Sequence, residues 1–400
     1  MKKTALLVIS GMAMLGIAAC QKDPVVDPVS TSEDQLLAGE TVTVGETSGG
    51  LRKLFILNEG QLGTNNATLD FLRFSDGKYV TNAYSQMNPS ISGGVGDVGN
   101  DLAVQGDRLW MVVNNSGLVE VVNPVNEKHI ASIAIPSPRR IAFDDRYAYV
   151  TSWAGAYAVY GADYSVSDYS NPKGLVYRID LSTLRVDGTV EVGYQPEGLS
   201  VWGGKLYVAN SGGLTLPPDY AYDKTLSIID LQSFKVIKTV EVAPNLRDVY
   251  ADGKGHLFVT SMGNFYDVHS GAYVLSVSDP NRAERAESIL WGGYVTCSAL
   301  FGSTLYCIGT ETEFDWSADH AYTLWSLNLE DASEVRTGIY PLKVTASVPY
   351  GMAVTGSCLY LGDAGDYVNP GLVICYALDG TFEERWRVRA GVDPGHFAIW

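Results

Sequence analysis

A short phrase recurs down this 400-residue chain, with inserts of variable length between its copies. Each copy is an apolar strand, a tight turn, then Leu-Tyr-Val or a close relative. Pro-Glu-Gly-Leu-Ser-Val from Pro196 leads to Leu206-Tyr207-Val208-Ala209-Asn210. Pro-Tyr-Gly-Met-Ala-Val from Pro349 leads to Leu359-Tyr360-Leu361-Gly362-Asp363. The chain then stops on one unpaired half of the phrase, Pro394-Gly395-His396-Phe397-Ala398-Ile399-Trp400. Repeats of about 40–50 residues are supersecondary units that must stack to bury their apolar faces. Independent sandwiches would need longer units with their own start and stop signals.

The short runs of Val, Ile, Leu, Tyr and Phe are bounded by Gly, Asn, Asp and Pro, which reads as strand throughout. Four strands, A to D, fit each repeat as in a propeller blade. Blade three takes Arg140–Phe143, Tyr147–Ser152, Leu175–Asp180 and Gly188–Val192. Blade four takes Gly198–Val201, Leu206–Asn210, Leu226–Asp230 and Val236–Val242. Blade five runs from Leu246–Tyr250 to a weak strand near Glu287–Leu290, and blade six from Val295–Leu300 to Gly338–Leu342. Blade seven runs from Gly351–Val354 to Glu384–Val388, and blade two from Asp101–Val104 to Ser132–Ile135. The first blade opens directly on a strand B, Leu54–Asn58, followed by Leu69–Arg73 and Tyr79–Tyr84. Its missing strand A is His396–Trp400. The expected fold is all-β, a seven-bladed β-propeller closed by the C-terminal strand joining the N-terminal blade, which removes open sheet edges.

The first residues are a separate matter. Lys2 and Lys3 precede an apolar run, and Ile17-Ala18-Ala19-Cys20 follows. The run is too short for a comfortable membrane span and reads as a secretory signal, residues 1–19. With cysteine at the cut site it resembles the bacterial lipobox, which implies lipidation of Cys20. Lys22-Asp23 resembles a surface-export tag. Residues 20–50 read as a polar tether, and residues 51–400 as the propeller. The tether is expected to enter the first blade from the tight-turn face, opposite the long loops.

The net charge of −17 disfavours nucleic acid, whose phosphates attract Lys and Arg. Cys297, Cys307, Cys358 and Cys375 lack metal spacing. In an exported chain they are either two hairpin disulfides or four buried thiols.

Because strands alternate direction, the B–C and D–A connections share one face. The A–B turns are tight, as in Gly203-Gly204-Lys205, whereas the B–C loops are long, as in residues 153–173. Long loops in a compact fold are usually functional or disordered. These carry Trp153, Tyr157, Tyr220, Tyr222, Phe265, Tyr266, Phe314, Trp316 and Tyr367. Among them stand Asn210, Asn264, His269, His320 and Asp366, while Arg139, Arg140, Glu197, Arg247 and Tyr350 lie at D–A junctions. Rigid aromatics with short hydrogen-bonding side chains make a binding surface. Asp363 and Asp366 form the kind of oxygen pair that Ca²⁺ takes. Imidazoles at His269 and His320 suit the transition metal of a bound molecule. No G-x-S-x-G, H-E-x-x-H or P-loop appears, and no acid/base pair stands out, so an enzyme is not expected.

Phe55-Ile56-Leu57-Asn58-Glu59-Gly60, Asn65-Asn66-Ala67-Thr68-Leu69 and Pro394-Gly395-His396-Phe397-Ala398 together resemble the YncE-like propeller lipoproteins of Bacteroidota. Within that group the chain is most similar to the BtuG-type vitamin B12-capture lipoproteins. The resemblance implies a monomeric, lipid-anchored protein on the outer-membrane surface that binds a corrinoid (cobalamin). It also implies delivery to a TonB-dependent outer-membrane transporter. A surface carbohydrate-binding propeller is the alternative, since aromatic platforms also stack on sugars.

Overall fold

The computed structural model describes residues 39–45, 50–160, 166–213, 222–265, 267–276, 287–289, 294–310, 321–328, 336–340 and 346–400. The protein is all-β, with seven sheets forming a seven-bladed β-propeller. The C-terminal strand Pro394–Ile399 pairs antiparallel with Lys53–Asn58, Leu54 opposite Ile399, and supplies strand A of blade one. Strands begin one to three residues earlier than expected in most cases. Strand A of blade four is Pro196–Trp202, and strand D of blade three is Arg185–Tyr194.

Burial explains why these residues make these strands. Strand B is buried along nearly its whole length in Tyr147–Ser152, Lys205–Asn210, His256–Ser261 and Cys358–Asp363. Such strands have side chains packed on both sheet faces, hence their continuous apolar runs. Strand D of blade four, Lys235–Glu241, is mostly exposed and lies at its sheet's outer edge.

The blades group into two compact units. The first is built around Ile133–Val295; the second around Lys22–Ser132, Thr296–Glu311 and Asp315–Trp400. In the first, Tyr149, Val176, Leu199 and Val208 fill the space between blades three and four. Tyr207, Leu226, Val249 and Val259 fill that between blades four and five. In the second, Leu54, Ile56, Tyr360 and Cys375 join blades seven and one.

One device recurs where each blade begins. The residue before strand A is left-handed at Val98, Ser137, Gln195, Asn245 and Asp393, with φ between 43° and 63°. Its carbonyl accepts the N–H of the residue just after strand B: Glu59 to Asp393 at 2.8 Å, Trp153 to Ser137 at 3.1 Å, Met262 to Asn245 at 2.9 Å. Strand A then bulges within its first residues in blades one, two, three, four, five and seven. A bulge re-aims side chains and leaves a ladder N–H unpaired. A threonine of strand B takes that N–H in two blades: Arg140 N–H to Thr151 Oγ1 and Asp248 N–H to Thr260 Oγ1, both 3.0 Å.

Adjacent A strands approach so closely that only glycine fits at their crossing. A Cβ on Gly198 would lie 2.6 Å from the Arg247 carbonyl oxygen, and one on Gly351 1.9 Å from that of Gly395.

Three expectations are corrected. Strand D of blade one is only Lys78–Val80, because Asn82 turns left-handed (φ 42°) into a short helix, Ala83–Met87. The segment read as tether contains a strand, Thr41–Thr43, which pairs antiparallel with Lys78–Val80 and extends that sheet to five strands. Val44 and Gly45 lie by the Gly77 carbonyl, so strand B is entered from the tight-turn face. Thr43 lies by Lys78, but the Gly39 N–H reaches the Thr81 carbonyl at 2.8 Å, at the end of the blade that carries the Glu59–Ala67 loop. Finally, a hairpin unforeseen in the sequence, Tyr157–Tyr160 with Val166–Ser170, rises from the B–C loop of blade three. Of the two cysteine readings the thiols hold: Cys297, Cys307, Cys358 and Cys375 are buried thiols outside any disulfide.

Candidate functional site

The second residue of each strand A is the one that the bulge re-aims. In the first unit these residues are Arg139, Glu197 and Arg247, on neighbouring strands (Pro138–Phe143, Pro196–Trp202, Leu246–Ala251). The residues just after strand B stand beside them: Trp153 in blade three and Met262 in blade five.

Arg139, Glu197 and Trp153 form one seat. Arg139 Nε donates to both Glu197 carboxylate oxygens, at 3.1 and 3.2 Å. The Trp153 indole N–H donates to Glu197 Oε1 at 3.1 Å. The Arg139 guanidinium lies over the Trp153 ring, 4.3 Å from its centroid. Glu197 is only 7% exposed, so two donors offset the cost of burying its charge. Thr151 Oγ1 donates to the Glu197 carbonyl at 2.8 Å and fixes its backbone. Arg140 is half-buried next to Arg139.

A second group in the same unit is aromatic. Phe265, left-handed at φ 56°, lies edge-on to Tyr222 (centroids 6.1 Å) and tilted against Tyr294 (6.2 Å). Burial raises the Tyr294 hydroxyl above its ordinary pKa, and the Arg247 charge works against that rise. Arg247 donates from Nη1 toward the Met262 sulfur at 3.8 Å, and its Nε lies 3.8 Å from Asp248. A cation held by a thioether and one carboxylate, beside a phenol, suits a partly apolar ligand carrying polar edges.

Other candidates have different places. Asn210 is fully buried; its Oδ1 accepts the Gly193 N–H (3.1 Å) and its Nδ2 donates to Thr225 and Ser227. It holds the blade junction. Asn264 organises its own loop, accepting the N–H groups of Asp267 (3.0 Å) and Val268 (2.8 Å). His269 is exposed. Tyr157 is 45% exposed on the extra hairpin, and its hydroxyl donates to Asp168 at 2.9 Å. Tyr220, Tyr266, Phe314, Trp316, His320 and Cys20 lie outside the described residues.

Tyr350, Asp366 and Tyr367 belong to the second unit, where the Tyr350 and Tyr367 rings meet edge-on at 5.8 Å. Asp363 and Asp366 do not offer free oxygens as a pair. Asp363 accepts N–H groups from Ser347, Val348 and Gly365, and Asp366 those of Val368 and Asn369. Among the described residues, no three His, Cys, Asp or Glu side chains gather to hold a metal ion.

Sequence reasoning missed Met262, Tyr294, Glu59 and Asp393. For Met262 and Glu59 a signal existed: each follows strand B at the station that Trp153 occupies in blade three.

No protein-family profile matches the chain, and no curated protein matches it. Among solved structures it is similar to the hydrazine synthase of Kuenenia stuttgartiensis, with a TM-score of 0.59 and 16% identity over 75% of this chain and 89% of that one. It is also similar to a 6-phosphogluconolactonase-like protein of Bacteroides uniformis ATCC 8492. There the TM-score is 0.58 and the identity 10%, over 87% of this chain and 99% of that one. At these identities the likeness shows the fold alone.

Proposed function

We propose that this protein is a lipid-anchored binding propeller that holds a corrinoid at the cell surface and passes it to a TonB-dependent outer-membrane transporter. The supporting observation is the Trp153–Arg139–Glu197 seat, with the Tyr222–Phe265–Tyr294 run in the same unit. A corrinoid is a broad, partly apolar disc rimmed with amides. Indole and phenol faces suit the disc; Arg139, Arg140, Arg247 and Glu197 suit the amides. The seat is fixed before any ligand arrives, because Glu197 is held on three sides by Arg139, Trp153 and Thr151. Such preorganisation lowers the cost of binding. The role is binding rather than catalysis, and the anchor is Cys20.

The test is calorimetric and spectroscopic titration of the intact protein with cyanocobalamin. Binding heat and a shifted corrin absorbance are expected, and Trp153→Ala weakens binding by about tenfold or more. Neither heat nor absorbance change overturns the reading. The exposed rings of Tyr157 (45%) and Tyr169 (38%) favour one second reading, a surface glycan-binding propeller. A glycan array separates the two.

A further inference from the structure

The junction of blades seven and one, in the second unit, holds a polar site of opposite character. Asp393 is the left-handed residue before strand A of blade one (φ 54°). At the same station other blades carry Val98, Ser137, Gln195 and Asn245, so the turn itself requires no charge. Yet the Asp393 side chain is a carboxyl, only 3% exposed, and its Oδ1 is buried with no hydrogen-bond donor among the described residues. A buried acceptor left unmatched is costly, and more so when charged.

The groups around it deepen the mismatch. Glu59, 7% exposed, donates its backbone N–H to the Asp393 carbonyl at 2.8 Å, and its carboxylate accepts the Tyr350 hydroxyl. Tyr350 meets Tyr367 edge-on, and Gln61 Nε2 donates to the Tyr367 carbonyl at 3.1 Å, which ties that loop down. Asp366, on the same loop, is exposed. Burial first, then the charges of Glu59 and Asp366, push the Asp393 carboxyl up to about 8. Burial, then Glu59 and Asp393, raise the Tyr350 hydroxyl well above its usual range. The titratable groups facing Asp393 are thus acidic or phenolic.

We propose that Glu59 and Asp393, walled by Tyr350 and Tyr367, seat the ammonium group of a small organic cation. An ammonium brings three N–H donors to a site rich in acceptors, and phenol rings attract cations. A hard divalent metal fits less well. It takes six or more oxygens, and the described residues assemble no set of three acidic or imidazole ligands. An arriving cation displaces the proton of Asp393, so binding and proton release are linked.

The experiment titrates the intact protein with ethylammonium chloride, and separately with calcium chloride, by calorimetry in two amine-free buffers of different ionisation heat. Ethylammonium is expected to bind with release of close to one proton at about pH 7, and to bind about tenfold more tightly for each pH unit gained below about 8. Asp393→Asn keeps the left-handed turn, which Asn tolerates. It is expected to abolish proton release and weaken ethylammonium binding at least about tenfold, the loss of one charge-assisted bond. No ethylammonium binding, pH-independent binding, or unchanged binding by Asp393→Asn overturns the proposal. So does binding of calcium alone. If Asp393→Asn does not fold, proton release by the unaltered protein decides.

Discussion

The two units use one backbone device and fill it with opposite chemistry. In the first, the second residue of strand A is Arg139, Glu197 or Arg247, and Trp153 and Met262 follow strand B. In the second, the same stations hold Tyr350 and Glu59, beside Asp393. Left-handed turn, capping hydrogen bond and bulge are shared between them. What differs is charge balance. The buried carboxylate of Glu197 meets a guanidinium and an indole N–H; that of Glu59 meets a phenol, near a second acid. The frame sets where side chains point. The residue types at those stations set the chemistry that the frame brings together.

That comparison breaks first at Glu197. Glu197→Ala strands the Arg139 guanidinium, whose side chain is 12% exposed, without its carboxylate. We expect a loss of about 3 kcal/mol in urea unfolding; a loss under about 0.5 kcal/mol would show that the pair is not what orders the first unit. Next come the strand-A glycines. Gly198→Ala and Gly351→Ala each place a methyl against a neighbouring backbone, at 2.6 and 1.9 Å. Both should cost about 1–3 kcal/mol, Gly351 more than Gly198. The reverse order, read from thermal unfolding, would mean the second unit yields more easily.

Titration sharpens the contrast. A carboxyl raised in the folded state keeps its proton after the unfolded chain has lost its own. Asp393, at about 8, therefore makes stability fall as pH climbs from the unfolded value of ~3.9, levelling off above about 8. Asp70, raised by burial to about 6, adds to that fall over the lower part of the range. In the first unit Asp180 and Asp230 are lowered by the Ser182 and Ser233 hydroxyls, so their contribution is present above the unfolded value and is lost as pH drops through the folded one. Asp393→Asn should be more stable than the unaltered protein at about pH 8, by about 1 kcal/mol or more, with the gain gone near pH 4. Hydrogen exchange at the two pH values, resolved by unit, checks the sign. The smallest effect is expected at Tyr157→Ala, on the exposed hairpin, within about 0.5 kcal/mol.

Much of the fold was readable because its signals are local. Alternating apolar runs, proline at the start of strand A and Gly-rich A–B turns marked the blades, and the unpaired halves at either end of the propeller marked its closure. The site was less readable. Asn210 looked like a loop ligand, yet strand B ends on a buried polar residue in blade after blade: Asn58, Ser152, Asn210, Ser261, Asp363. The regularity itself signals a structural task, and a single copy viewed alone hides it. Thr41–Thr43 was unreadable as a strand because it is only three residues long and exposed throughout; only the free edge of Lys78–Val80 makes it one.

The sequence by itself determined the repeat, the seven blades and the strand order, since each follows from patterning within about fifty residues of chain, and the unmatched halves at the two ends of the propeller implied its closure. Only the tertiary structure decided which charges meet. Arg139 and Glu197 are 58 residues apart, and Tyr350 and Glu59 are 291 apart. Their meeting depends on bulged strands lying side by side with glycine at the crossing, a geometry set by packing and not by any local run of residues.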